Sequence, residues 1–316
     1  MNKKELKKCQ QSSVAGLFKI TARCNDYCNF CIERKYTEKK LDDLSLNEIE
    51  DNFNYLKDNF NLDYIIITGG EPTLHKDFFK ILDYFYKKEI QFRFITNFLH
   101  FNDKNFLKKT LSYFPSNRNN KIIGSINNLP VNKIEAKRMS GLENFLKYKL
   151  PIMLILVINK NNLESLPDFI VYLHKMFKKY HYEKINIEFR LIYTGDTLKF
   201  LLEKSLPTNF EKIKKYVQKA VKTANLLGVN IIFWNFPICY IDNLPRFQDK
   251  TIEERRQRKL LKVSKDFQFK KIQVRDFEEC FKKNKNCLKC KYNNCCSGIE
   301  NDYLKKYNFP LLKLIS

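Results

Sequence analysis

Three thiols lie within eight residues near the start of the chain, in Cys24-Asn-Asp-Tyr-Cys28-Asn-Phe-Cys31. Three thiolates can hold three irons of a cubane cluster and leave the fourth iron open, unlike a closed four-cysteine electron-transfer site. An open iron can bind a ligand. A structural zinc site takes four ligands, commonly as two Cys-x2-Cys pairs. Nothing nearby supplies a fourth here, because the next cysteine is Cys239 and the nearest histidine is His75.

A second set of cysteines sits in the tail: Cys280-x6-Cys287-x2-Cys290-x4-Cys295-Cys296-Ser-Gly298. The pair Cys287 and Cys290, a third cysteine six residues on and a distant fourth form a tetrathiolate pattern, which suits either an iron–sulfur cluster or zinc. Cys9 reads as a lone thiol. The chain has ten cysteines and no export signal: the N-terminus MNKKELKKCQQSSVAG is charged, with no apolar stretch behind it. Reduced thiols of a cytoplasmic protein, clustered this way, read as metal ligands and not as a disulfide framework. The longest apolar run, Leu150 to Ile158, is too short for the ~20 residues a bilayer span needs, so no membrane association is expected.

The elements that must position these groups are legible from pattern. Leu17–Thr21, Tyr64–Thr68, Phe92–Thr96, Ile122–Ile126, Ile152–Ile158 and Ile185–Ile192 read as strands, alternating with helical segments. One helix opens at Ser45 with a capping box to Glu48 and carries Leu46, Ile49, Phe53 and Leu56. Another is capped by Thr208 with Glu211, carries Ile213, Val217, Ala220, Ala224 and Leu227, and stops at Gly228. Such alternation implies a parallel sheet covered on its outer face, an α/β fold with its chemistry at the carboxyl ends of the strands. One more strand, Val229–Trp234, precedes a Lys/Arg-rich stretch and the cysteine-dense tail. The expected domains are 1–230, the barrel, and 231–316, a small Cys-rich extension. At the end of the second strand, Gly69-Gly70-Glu71-Pro72 offers close backbone approach, a fixed turn and a carboxylate acceptor.

Cys-x3-Cys-x-aromatic-Cys after an initial strand, with Phe30 at the aromatic position, resembles the signature of the radical S-adenosylmethionine (radical SAM) superfamily. The resemblance implies a partial (β/α)6 TIM-like barrel, a 4Fe-4S cluster on Cys24, Cys28 and Cys31, and S-adenosylmethionine chelating the open iron. It also implies reductive cleavage to a 5′-deoxyadenosyl radical, with an electron donor such as flavodoxin or ferredoxin. Gly69, Gly70, Glu71 and Pro72 resemble the GGE motif that holds the methionyl amino group, about 40 residues past the cysteines as expected. Ser125, Arg138 and Asn162 stand where related enzymes place further cofactor contacts, Arg138 toward a carboxylate and Asn162 toward the ribose, and equally where solvated or capping polar residues stand. The tail resembles a SPASM/twitch extension, Cys-x2-Cys-x5-Cys-x-Gly followed by two tyrosines, here Tyr303 and Tyr307. Its matching ligands are Cys287, Cys290 and Cys296, with Cys239 as the fourth and one auxiliary 4Fe-4S cluster implied. Cys280 or Cys295 can replace one of these ligands.

The leading substrate expectation is a peptide or protein side chain. Only about 16 residues precede the first expected strand, which leaves no room for an N-terminal peptide-recognition domain, so recognition would fall to a separate protein or to the basic surface. A small-molecule enzyme resembling the GTP cyclase of molybdenum-cofactor synthesis is the second expectation, although the chain ends Leu-Lys-Leu-Ile-Ser where that family ends Gly-Gly. With 58 Lys+Arg against 35 Asp+Glu the net charge is +23, and charge alone motivates a third, RNA modification. The lysines are nevertheless scattered along the chain, as on a solvated face. A non-enzymatic iron–sulfur or zinc carrier or scaffold is the remaining class, and Gly69 to Pro72 beside an incomplete ligand set argues against it.

Overall fold

The structure is a computed structural model. It describes residues 13–31, 33–34, 37, 41–183, 185–191, 205, 210–234, 236–237, 259–263, 273–274, 281–283, 285–290, 292–293, 296 and 298–300. Cys9, Cys239, Cys280, Cys295, Thr208, Tyr303 and Tyr307 lie outside the described residues.

Six strands alternate with helices along the first part of the chain. They are β1 (Ser13–Thr21), β2 (Asn61–Gly69), β3 (Gln91–Thr96), β4 (Lys121–Ser125), β5 (Ile152–Ile158) and β6 (Ile185–Leu191). Among the described residues the α-helices are α1 (Leu46–Asn59), α2 (Phe78–Lys87), α3 (Lys104–Leu111), α4 (Lys133–Leu146), α5 (Leu166–Lys179) and α6 (Phe210–Leu227). All six expected strands are present, with β1 beginning at Ser13 and not Leu17. α1 starts where its capping box places it: Ser45 Oγ accepts from the Glu48 N–H while Glu48 accepts from the Ser45 N–H at 2.7 Å. Ile49, Phe53 and Leu56, on one side of α1, are buried. α6 ends at Gly228, whose φ of +68° is the left-handed conformation of a helix terminator.

The strands lie in the order β7-β6-β5-β4-β3-β2-β1-β8-β9, where β7 is Val229–Trp234, β8 Lys259–Val263 and β9 Gln273–Val274. Every neighbouring pair from β7 to β8 is parallel, and β9 is antiparallel to β8. This is an open α/β barrel sheet of eight parallel strands with helices between them. The division expected near residue 230 falls inside β7, and the sheet continues past it through β8, which adds to the free edge of β1. A separate hairpin, β10 (Phe281–Lys282) with β11 (Ile299–Glu300), lies in the Cys-rich tail.

The core is aromatic as well as aliphatic. Phe78, Phe94, Phe98, Phe101 and Phe145 are each at most 2% exposed, and their rings meet at centroid separations of 5.2 to 6.4 Å. Such contacts are worth about 0.5–1.5 kcal/mol each beyond burial. They join α2 and α4 to β3 and so fix the carboxyl ends of the central strands, where the site lies.

Candidate active site

The chain leaves β1 at Thr21 and runs directly into the cysteine loop. Two hydrogen bonds dock that exit on the end of β2: the Gly70 N–H donates to the Thr21 carbonyl and the Glu71 N–H to the Arg23 carbonyl, both at 2.8 Å. The approach is so close that side chains cannot be accommodated. A Cβ on Gly70 would lie 2.1 Å from the Arg23 oxygen, and one on Gly69, at φ +139°, 2.2 Å from the Thr21 oxygen. The two glycines are therefore the seat of the cysteine loop. Asp43, just before α1, holds the same exit from the other side, through Thr21 Oγ1 at 2.6 Å and an ion pair with Arg23.

Within the loop, Asn25, Asp26 and Tyr27 each have a partner outside it. Asn25 Oδ1 accepts from Asn97 Nδ2 at 2.8 Å. Asp26 Oδ2 accepts from Arg138 Nη2 at 2.5 Å and from the Cys28 thiol at 3.0 Å. The Tyr27 ring lies under the Arg34 guanidinium, 4.9 Å from it, and Arg34 donates to the Cys28 carbonyl at 3.3 Å. Phe30 packs partly buried against the core. The Cys31 N–H donates to the Cys28 carbonyl at 3.2 Å, closing a turn over the Cys-x2-Cys pair. The tail pair does the same, Cys290 N–H to Cys287 carbonyl at 3.1 Å, and the Gly298 N–H donates to Cys296 Sγ at 3.4 Å.

Burial raises all three loop thiols above the ordinary range: Cys24 to about 12, with Glu71, Cys31 and Asp26 adding repulsion, Cys28 well above, and Cys31 upward. Thiols held this way become ligands only when a metal cation offsets the buried charge. Three such donors, with no fourth beside them among the described residues, fit a cubane that keeps one iron free. Among the described residues no three His, Cys, Asp or Glu side chains gather around a point suited to a single metal ion.

Residues 18–173, from β1 to α5, match the family model described as the radical SAM superfamily. The chain belongs to the radical SAM superfamily. It is accordingly an enzyme of the class that uses a 4Fe-4S cluster and S-adenosylmethionine. A curated S-adenosylmethionine-dependent nucleotide dehydratase of Selenomonas ruminantium is 35% identical over 78 residues, which are 25% of this chain and 27% of that one. The match thus spans about a quarter of that relative's length. Among solved structures, Streptococcus suis SuiB bound to S-adenosylmethionine is 14% identical, with 99% of this chain and 79% of that chain covered at a TM-score of 0.64. SuiB bound to the precursor peptide SuiA gives 14% identity, 98% and 77% coverage and a TM-score of 0.65. anSMEcpe with bound AdoMet and the Cp18Cys peptide gives 15%, 96%, 92% and 0.60. At these identities the likeness is one of fold.

Against the radical SAM pattern, the remaining expected contacts are distinctive in what they touch. Glu71, the expected carboxylate acceptor, is 1% exposed. Its Oε1 accepts from the Thr73 hydroxyl and N–H and from the Thr96 hydroxyl, and its Oε2 from the Asn97 N–H at 2.8 Å. It braces the ends of β2 and β3. Pro72, buried, opens the short 3-10 turn Pro72–Leu74 that follows. Asn162 is equally engaged: its Nδ2 donates to the carbonyls of Asn127 and Val157, and its Oδ1 accepts from the Asn159 N–H. Ser125 Oγ accepts from Asn127 Nδ2 at 3.3 Å. Arg138, 1% exposed, lies between Asp26 and Glu135, with its Nε 3.4 Å from Glu135 Oε2.

Sequence reasoning missed Asn25, Asp26, Asp43, Asn97 and Glu135. One signal could have found Asn97, since a polar residue directly after a parallel strand stands at the catalytic end of the sheet.

Proposed function

We propose that Cys24, Cys28 and Cys31 hold the 4Fe-4S cluster and that the chain modifies a peptide or protein side chain by hydrogen abstraction. The cysteine loop carries this reading: three half-buried thiols, no fourth donor beside them among the described residues, and a frame drawn from β1, β2, β3 and α4. When bound, cluster and S-adenosylmethionine together supply a 5′-deoxyadenosyl radical. The residues of this chain do the rest. Gly69 and Gly70 seat the loop, Asp26 and Arg138 neutralise one another beside Cys28, and the tight turn from Cys28 to Cys31 keeps two donors on one short segment.

A peptide substrate is supported by SuiB and anSMEcpe, whose structures carry peptides and whose fold this chain shares over nearly its whole length. In the tail, Cys287, Cys290 and Cys296 with Cys239 form an auxiliary cluster site in residues 231–316, supported by the turn shared with the first site and the Gly298 N–H on Cys296. A nucleotide substrate is the second reading, favoured by the 35% identity to the nucleotide dehydratase. Anaerobic enzyme, dithionite and S-adenosylmethionine should release 5′-deoxyadenosine, and Cys28→Ala should abolish it. Wild-type enzyme that binds iron and sulfide yet gives none would refute the reading. Turnover with the peptide encoded beside the gene, against turnover with nucleoside triphosphates, separates the two substrate classes.

A further inference from the structure

We infer that Asn97 is a positioning residue for the cluster-binding loop, acting through Asn25; this rests on the proposed ligand role of Cys24, Cys28 and Cys31. Asn97 stands one residue past β3 and is 7% exposed. Each of its polar groups has one assignment. Its Oδ1 accepts from the Leu99 N–H at 3.1 Å, its N–H donates to Glu71 Oε2, and its Nδ2 is left to donate to Asn25 Oδ1 at 2.8 Å. The Leu99 bond fixes which end of the amide is which, so Asn25 must be the acceptor.

The backbone is strained to make this arrangement. Phe98, the next residue, is non-glycine at φ +63° and wholly buried, a conformation that costs about 1–2 kcal/mol. The fold makes room for it, because a Cβ on Gly124 would lie 2.2 Å from the Phe98 ring and one on Gly141 2.1 Å from its carbonyl oxygen. Strain kept at one residue, with glycines on two other elements opposite it, marks a turn whose geometry is needed. What that turn delivers is the Asn97 amide, to the residue adjoining Cys24. Glu71, Asn97 and Asn25 then form a chain of hydrogen bonds from β2 through β3 into the loop, independent of the Asp26–Arg138 pair that holds its other half.

The test is iron retention, since loss of an outer partner of a metal ligand typically lowers metal affinity about 10–100-fold. Wild type, Asn25→Ala, Asn97→Ala and the double variant are reconstituted anaerobically with ferrous iron and sulfide. Iron release to a ferrous chelator is timed, and the reduced cluster is recorded by electron paramagnetic resonance without S-adenosylmethionine. Each single variant should release iron about tenfold faster, with an altered resonance line shape, and the double variant no faster than the worse single one. Asn25 is a half-buried loop residue, so Asn25→Ala carries the test even if Asn97→Ala fails to fold. Release within twofold of wild type for Asn25→Ala, or rates that multiply in the double variant, overturns the inference while leaving the cluster reading intact. Wild type that assembles no cluster overturns both.

Discussion

Removing the Glu71 side chain leaves the Asn97 and Thr73 N–H groups buried with no acceptor, each at a cost of about 1–3 kcal/mol. Glu71→Ala should therefore lower the unfolding free energy by about 2–6 kcal/mol, measured by urea denaturation. Glu71→Gln keeps one carbonyl oxygen for the Asn97 N–H, and the Thr73 and Thr96 hydroxyls can turn to accept from its amide, so it should cost less. The pH dependence has a definite sign. Burial pushes the Glu71 carboxyl above its ordinary value of 4.5, against the hydrogen bonds that pull it down. A raised folded-state value means that stability is full below the unfolded value and falls as pH rises through the folded one. Wild type loses that contribution with rising pH and Glu71→Gln, which cannot ionise, does not, so the gap between them should narrow as pH rises above 4.5. A widening gap would show that the ionised carboxylate is the form the pocket favours.

At the scale of elements, the junction of β1 with β2 is the sensitive one. Gly70→Ala drives a methyl group to 2.1 Å from a carbonyl oxygen of the cysteine loop, which backbone atoms can relieve only by moving the loop. A cost of about 1–3 kcal/mol or more, together with lost iron binding, should follow. Gly228→Ala is the control: its φ is positive, but nothing lies within 4 Å of the added methyl, so it should cost about 1–2 kcal/mol and leave iron binding untouched. Equal effects of the two on iron would remove the seating role of Gly70. This junction was half legible in the sequence. Gly69-Gly70 read as a close backbone approach, but to a ligand, whereas the observed partners are Thr21 and Arg23. The strands were legible because each is a short apolar run bounded by polar residues. β8 was not, because Lys259-Leu-Leu-Lys-Val263 is five residues inside a basic stretch. Its Leu261, at 0% exposure, and Val263, at 3%, become core only once β1 lies beside them. Asn25, Asp26 and Asn97 were hidden for the related reason that polar partners far apart in sequence leave no periodic trace.

Over the whole molecule, charge works against the fold. The chain carries 58 basic and 35 acidic residues, so 23 positive charges have no opposite number to pair with. Exposed pairs do form, among them Lys80 with Asp77, Lys87 with Asp83, Lys179 with Glu143 and Lys212 with Glu164, but ion pairs this open to solvent contribute little. Salt weakens both effects, but the repulsion is summed over the entire surface while the attraction is confined to a few contacts. Screening shortens the reach of charge to about 10 Å at 0.1 M salt, which relieves the repulsion first because its separations are the longer ones. The melting temperature should accordingly rise by a few degrees between about 10 mM and 300 mM sodium chloride. Choline chloride should give the same rise, since screening depends on ionic strength and not on which cation supplies it. A melting temperature that stays flat or falls in both salts would mean that short-range ion pairs outweigh the net charge.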